Sequence, residues 1–172
     1  PGFLSRTGLV LHEVGGHWGP AAAFGCVIGE MRLFVFGGGW IDFSCADITR
    51  WQSMTIELGG ITLELVLGTG LLFAARRRPH GMPGLVLLCI GLLWILHALF
   101  YLVTGVHYGV GDGRSLHQLL GDRRAPLVFG GSAVLVAGCG IFATSLARRL
   151  ADRLPTGSLF TRSIRLAAAI FV

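Results

Sequence analysis

The sequence predicts an all-α integral membrane helical bundle of about four spans, with a short interfacial β-hairpin after the first helix. Three observations carry that expectation. Hydrophobic residues make up 53% of the chain and charged residues 13%, where a soluble domain carries about 25% charged residues. Four long apolar runs are separated by polar or arginine-bearing breaks, and each approaches the ~20 residues that a membrane helix needs. Between the first two runs lie two β-prone stretches around three glycines, which is a hairpin signature. At 172 residues, one membrane domain over 1–172 is the natural count.

Charge and cysteine usage narrow the classes further. The formal net charge is +5, and every basic residue is an Arg, set in small clusters that suit lipid headgroups. No basic stripe with interleaved aromatics occurs, so nucleic acid is not an expected partner. The expected partners are the lipid bilayer and the helices of other membrane proteins. Cys26, Cys45, Cys89 and Cys139 are scattered, with no C-x-x-C pair. They are expected to be small buried hydrophobes rather than disulfides or zinc ligands.

The first helix is expected over 3–29. It is rich in Gly and Ala, which permits close helix approach in lipid. Gly15, Gly16, Gly19 and Pro20 in its middle predict a kink or bulge. The hairpin follows over 31–44, centred on Gly37-Gly38-Gly39. Its open edges cannot face lipid, so it must lie at the interface or against the helices. The second helix, 52–75, stops at Arg76-Arg77-Arg78-Pro79. Glu57 and Glu64 lie seven residues apart on one of its faces and should point into the bundle. They are either structural groups or site-lining, proton-handling ones. The third helix, 82–104, is apolar apart from His97, which is either a hydrogen-bonded core residue or a ligand. A glycine-rich loop, 105–114, leads to an amphipathic turn and the cluster Asp122-Arg123-Arg124. The fourth helix is expected over 126–149. The tail 158–172 is an interfacial helix or a partial fifth span, Arg162 and Arg165 favouring the former.

The chemistry concentrates in Leu11-His12-Glu13-Val14-Gly15-Gly16-His17-Trp18. Ionisable residues at membrane depth are costly and mark functional sites by default. The stretch nearly spells H-E-x-x-H, in which two His at i and i+4 share a helix face and bind one metal ion. Here the spacing is i and i+5. A regular helix then turns the second His roughly 140° from the first, against roughly 40° at i+4. The two imidazoles are therefore expected on different sides of their helix. A π-bulge at Gly15-Gly16 would absorb the extra residue. Alternatively Glu13, which is i to His17 at i+4, takes the first ligand position and leaves Val14 where a base should be. A third arrangement draws on His107 or His117 as substitute ligands.

Three separated elements together resemble the site-2-protease-like family of membrane-embedded zinc metallopeptidases. The first is the His12-to-His17 motif followed at once by the hairpin. The second is Leu58-Gly59-Gly60-Ile61-Thr62-Leu63-Glu64, similar to that family's L-A-G-P-L-A-N segment, with Ile61 in place of Pro and Glu64 in place of Asn. The third is Thr104 to Gly113, which has the length of the family's N-x-x-P-x-P-x-L-D-G. There Asp112-Gly113 matches, and Thr104, His107, Gly109 and Gly111 do not. The likeness spans roughly residues 4–121. It implies His12, His17 and Asp112 as zinc ligands, Glu13 as general base, and Glu57, Glu64, His97 and His107 lining the site.

The resemblance also implies that the hairpin and zinc site face the cytosol. The clusters Arg76-Arg77-Arg78 and Arg148-Arg149-Arg153 would then face outward, against the positive-inside rule. The charge rule weighs slightly more, because it needs no alignment. With the His spacing disturbed, the first functional expectation is a catalytically impaired accessory subunit of a larger membrane complex, energy-converting or photosynthetic, with zinc bound or absent. The alternative is an active intramembrane zinc metalloendopeptidase using His12, His17, Asp112 and Glu13. A transporter built on Glu57 and Glu64 is disfavoured, because too few spans are present for an inverted repeat. In each case the expected location is a bacterial inner membrane, crossed several times.

Overall fold

A computed structural model describes residues 7–34, 38–78 and 81–151. The tail 158–172 and part of the hairpin tip lie outside the described residues. Helix α1 runs over 7–23. Its centre, Leu11–Trp18, is π-helical, and the Gly19 N–H bonds back to the Val14 carbonyl, five residues earlier. Regular α geometry returns over Gly19–Ala23, with Pro20 in the first turn, where its missing N–H costs least.

The expected extent of α1, 3–29, is too long at its end. Gly25 adopts φ +75°. The Gly25 N–H meets the Ala22 carbonyl and the Cys26 N–H meets the Ala21 carbonyl. That pairing is a Schellman stop, and the chain turns directly into strand β1, Val27–Leu33. Strand β2, Gly39–Ser44, pairs antiparallel with it, Val27 opposite Ser44 and Leu33 opposite Gly39.

The cysteine expectation is corrected at the base of this hairpin. Cys26 and Cys45 form a disulfide, with Cα atoms 4.3 Å apart. The Schellman turn delivers Cys26 onto the same antiparallel register that pairs Val27 with Ser44, so Cys45 falls opposite it. Scattered spacing concealed a pair that the turn brings together. Around it Ala21, Cys26 and Ile56 form a small buried core, with Phe24, Ile28, Phe43 and Ile48 packed against it.

Helix α2, Arg50–Arg76, opens with a capping box, Thr49 and Gln52 each satisfying the other's backbone. Helix α3, Met82–Tyr108, runs one turn beyond the expected end at 104. The helix continues through His107 and ends only where Gly109 enters the left-handed region at φ +71°. A 3-10 turn, Gly111–Gly113, follows, then short helix α4, Arg114–Leu120, a second 3-10 turn, Gly121–Arg124, and helix α5, Ala125–Ala151.

The fold is thus mostly helical, with a two-stranded hairpin after the first helix. Among the described residues, Arg50–Arg76, Met82–Tyr108 and the run Gly111–Arg148 are long and apolar enough to cross a membrane. The shorter α1 is not among them, against the expectation of about four spans.

Glycines bring α1 and α2 to backbone contact. A Cβ at Gly16 would overlap the Gly60 backbone, and one at Gly59 would overlap the Gly16 carbonyl. A Cβ at Gly60 would enter the His12 ring. Close approach of small residues is the usual adhesive between helices in lipid. Gly70, on the same helix, has no such neighbour. Gly59→Val is therefore expected to destabilise the protein by roughly 1–3 kcal/mol through overpacking, read as a lower Tm in detergent, whereas Gly70→Ala leaves the Tm unchanged or higher.

Candidate metal centre

The π-helical stretch decides where its side chains point. A π turn closes over five residues, so residues i and i+5 stack on one face. His12 and His17 are i and i+5. Their ring centroids lie 4.9 Å apart, and both are buried at 4% and 6% exposure. The expectation that the two imidazoles diverge rested on regular α geometry and does not hold for this winding.

Asp112 completes the group from the other side. The turn after α3 folds back because Gly113 lies against the backbone of Gly105 and Val106, with no room for a side chain between them. Glu57 on α2 fixes the same loop, its Oε2 accepting the Ser115 N–H at 3.1 Å. Asp112 Oδ2 then stands 2.9 Å from His12 Nε2 and 3.3 Å from His17 Nε2. One ligand atom from each of the three residues lies within 4.8 Å of the others, a group that could hold a metal ion.

The far sides of both rings are also occupied. His17 Nδ1 is 2.6 Å from the Ile56 carbonyl. A carbonyl only accepts, so Nδ1 carries the proton, and in the neutral ring Nε2 carries the lone pair. His12 Nδ1 lies 3.2 Å from Glu64 Oε1 without hydrogen-bond geometry, and the carboxylate's negative charge favours the same tautomer. Glu64 Oε2 is in turn 2.9 Å from His97 Nδ1. A carboxylate or carbonyl hydrogen-bonded behind an imidazole is the usual outer support of a metal-binding His; His17 has that bond, and His12 has the carboxylate nearby without it.

The front of the site tests whether a metal fits. Two Nε2 lone pairs and a carboxylate oxygen crowd together at hydrogen-bond distances, yet Asp112 Oδ2 is buried and has no partner with hydrogen-bond geometry. Buried acceptors are rarely left in that condition. The three ligand atoms lie close enough together to share one ion. That is the disposition expected of ligands to a cation, and the N, N, O donor set suits zinc among other divalent ions.

The remaining expected residues divide. Glu13 is buried at 4%, and its Oε1 lies beside Gly39 at the start of β2, so the hairpin covers the carboxylate next to the cluster. Glu64 and His97 join the site as supports. Glu57 acts one step further out, through Ser115. His107 is exposed and rests edge-on against Tyr108 at 4.5 Å; it faces away because the neighbouring Val106 holds the inward position of that turn. His117 is held by the Val106 carbonyl at 2.8 Å, and neither it nor His107 belongs to the cluster.

Two participants were missed in the sequence. Tyr101 stacks on His97 at 5.8 Å and meets His12 edge-on at 5.9 Å, forming an aromatic wall. Its position four residues after His97 on one helix face was the available signal. The Ile56 carbonyl had none.

No family model, curated protein or solved structure matches the chain. The site therefore stands on its own geometry. If Glu64 supports a metal-binding His12, Glu64→Ala should weaken zinc or cobalt binding roughly 10–100-fold while leaving the helical circular dichroism intact. Titration of the purified variant with either ion measures this.

Proposed function

We propose that this protein is a membrane-embedded zinc metallopeptidase, a multi-pass protein of a bacterial inner membrane that hydrolyses peptide bonds in membrane-associated segments. One observation carries the reading. His12 and His17 present their Nε2 atoms to the same Asp112 oxygen, at 2.9 and 3.3 Å, with His17 Nδ1 bonded to the Ile56 carbonyl and His12 Nδ1 close to the Glu64 carboxylate. The three apolar helices support the membrane part of the proposal, and the order of the three motifs supports the reaction class.

His12, His17 and Asp112 would hold the ion, leaving a position open for water and substrate as hydrolytic zinc sites do. The zinc, when bound, supplies the Lewis acidity that makes water nucleophilic near neutral pH. Glu13, next in the chain to His12 and buried with it, takes the water's proton on its carboxylate and returns it to the leaving amine. Glu64 and Ile56 keep the imidazoles in the tautomer that frees Nε2. Strand β2, with Gly39 beside Glu13, restricts bulk water on that side.

The accessory-subunit reading drew its motive from diverging imidazoles, and the π-helical winding removes that motive. The departures in the third motif do not prevent Asp112 from arriving, because glycines make the return that prolines would otherwise direct. Purified full-length protein is expected to carry one zinc per chain, and His17→Ala to lose it. Glu13→Gln should keep the zinc while cleavage of a membrane-embedded peptide falls by about 10²–10⁴-fold, the usual contribution of a general base. Zinc-free wild-type protein after zinc loading, or undiminished cleavage by Glu13→Gln, would refute the proposal.

A further inference from the structure

We infer that the hairpin end of the bundle, the end nearer the His12–His17–Asp112 site, faces an oxidising, non-cytosolic compartment. The Arg76–Arg78 end then faces the cytosol. Two independent features of the molecule lead there.

The first is the disulfide between Cys26 and Cys45. It closes the base of the hairpin, and the Cys26 end of the link continues directly from α1. Cytosolic thiols are kept reduced, and stable structural disulfides belong to oxidising compartments. The hairpin therefore reaches its folded state on the oxidising side. Its partner elements fix which end that is. The N-terminus of α2 at Arg50 and the C-terminus of α3 at Tyr108 lie at the hairpin end, because α2 begins six residues beyond β2 and Glu57 meets Ser115 just after α3.

The second feature is charge. At the opposite end Arg76, Arg77, Arg78 and Arg148 occur with no carboxylate among the described residues. At the hairpin end the cations are mixed with acids: Arg32 pairs with Glu30 at 2.7 Å, and Asp42, Asp47 and Asp122 accompany Arg50, Arg114, Arg123 and Arg124. The anionic cytoplasmic leaflet attracts uncompensated basic clusters by about 1 kcal/mol per Arg, and the cations at the hairpin end are largely offset by acids. Both features select one orientation, the reverse of the one that the family resemblance implies.

This orientation deepens the proposed function and rests on it for its consequence: the scissile bond must be presented from the non-cytosolic face. Segments exposed only to the cytosol are not substrates.

Cysteine accessibility in cells expressing the full chain tests the orientation. Gly38 at the hairpin and Arg77 after α2 are both exposed. Gly38→Cys should react with a membrane-impermeant maleimide in intact spheroplasts, and Arg77→Cys only after permeabilisation, each read above the parent chain. The reverse pattern overturns the inference. A second measurement needs no variant. In acid-trapped, denatured and unreduced parent protein, two of the four cysteines should accept maleimide, rising to four after reduction. Four before reduction would equally overturn it. Zinc content of the detergent-purified chain is blind to orientation, so a reversed labelling pattern with zinc retained sinks the orientation alone, and correct labelling without zinc sinks the metallopeptidase reading alone.

Discussion

The structure depends on one backbone choice, the π-helical winding of Leu11–Trp18. A π turn is a rare and loosely packed form, seen mostly where a function requires it. Here it converts a spacing of five residues from divergence into alignment. His12 and His17 reach one face, and their common carboxylate partner can exist only because they do. Regular α geometry over the same residues would turn one imidazole away from Asp112, and a buried imidazole without partners is costly.

That winding is supported from outside. A wider helix needs room, and α2 supplies it by presenting Gly59 and Gly60 where the Gly16 backbone arrives. The contact sets the distance between the helices, which in turn sets what stands behind each ring. Ile56 lies one turn before Gly60 on α2 and offers its carbonyl to His17; Glu64 lies one turn after and reaches His12. Three successive turns of one helix thus carry an acceptor, a gap and an acceptor.

Much of this was legible in the chain, and the limits are physical. The apolar runs, the hairpin and the inward carboxylates Glu57 and Glu64 follow from composition and periodicity, and His12 with His17 from a near-match to a metal-binding spacing, because apolar runs leave few places for ionisable groups; Asp112 was reached only through the family resemblance. The end of α1 was misjudged, although Gly25 is an ordinary stop signal, because the apolar run continues through it to Ile28 and hydropathy outweighed turn chemistry. The disulfide was missed because Cys26 and Cys45 become neighbours only through the register that the Schellman turn sets. The π winding was visible as an alternative, but the balance between it and a regular helix lies in tertiary contact with Gly59 and Gly60. No window of local sequence contains that contact.

The charge of the site is the last constraint. His12, Glu13, His17 and Glu64 are each buried at 4–6% exposure, and charge in such a place must be compensated. A self-sufficient structural cluster would close its hydrogen bonds pairwise, each N–H on an acceptor. Here His17 closes one such bond, to Ile56, while Asp112 Oδ2 closes none despite two imidazole nitrogens within 3.3 Å. Ionised Asp112 and Glu64 carry two negative charges, ionised Glu13 would add a third, and neutral imidazoles carry none. One divalent cation offsets two of these charges and gives Asp112 Oδ2 a partner. Protons on both imidazoles would offset as much, but would still need N–H groups aligned on Asp112 Oδ2, which is without a hydrogen bond. The same geometry that leaves Asp112 without a hydrogen bond therefore favours a metal over an ion-pair lock.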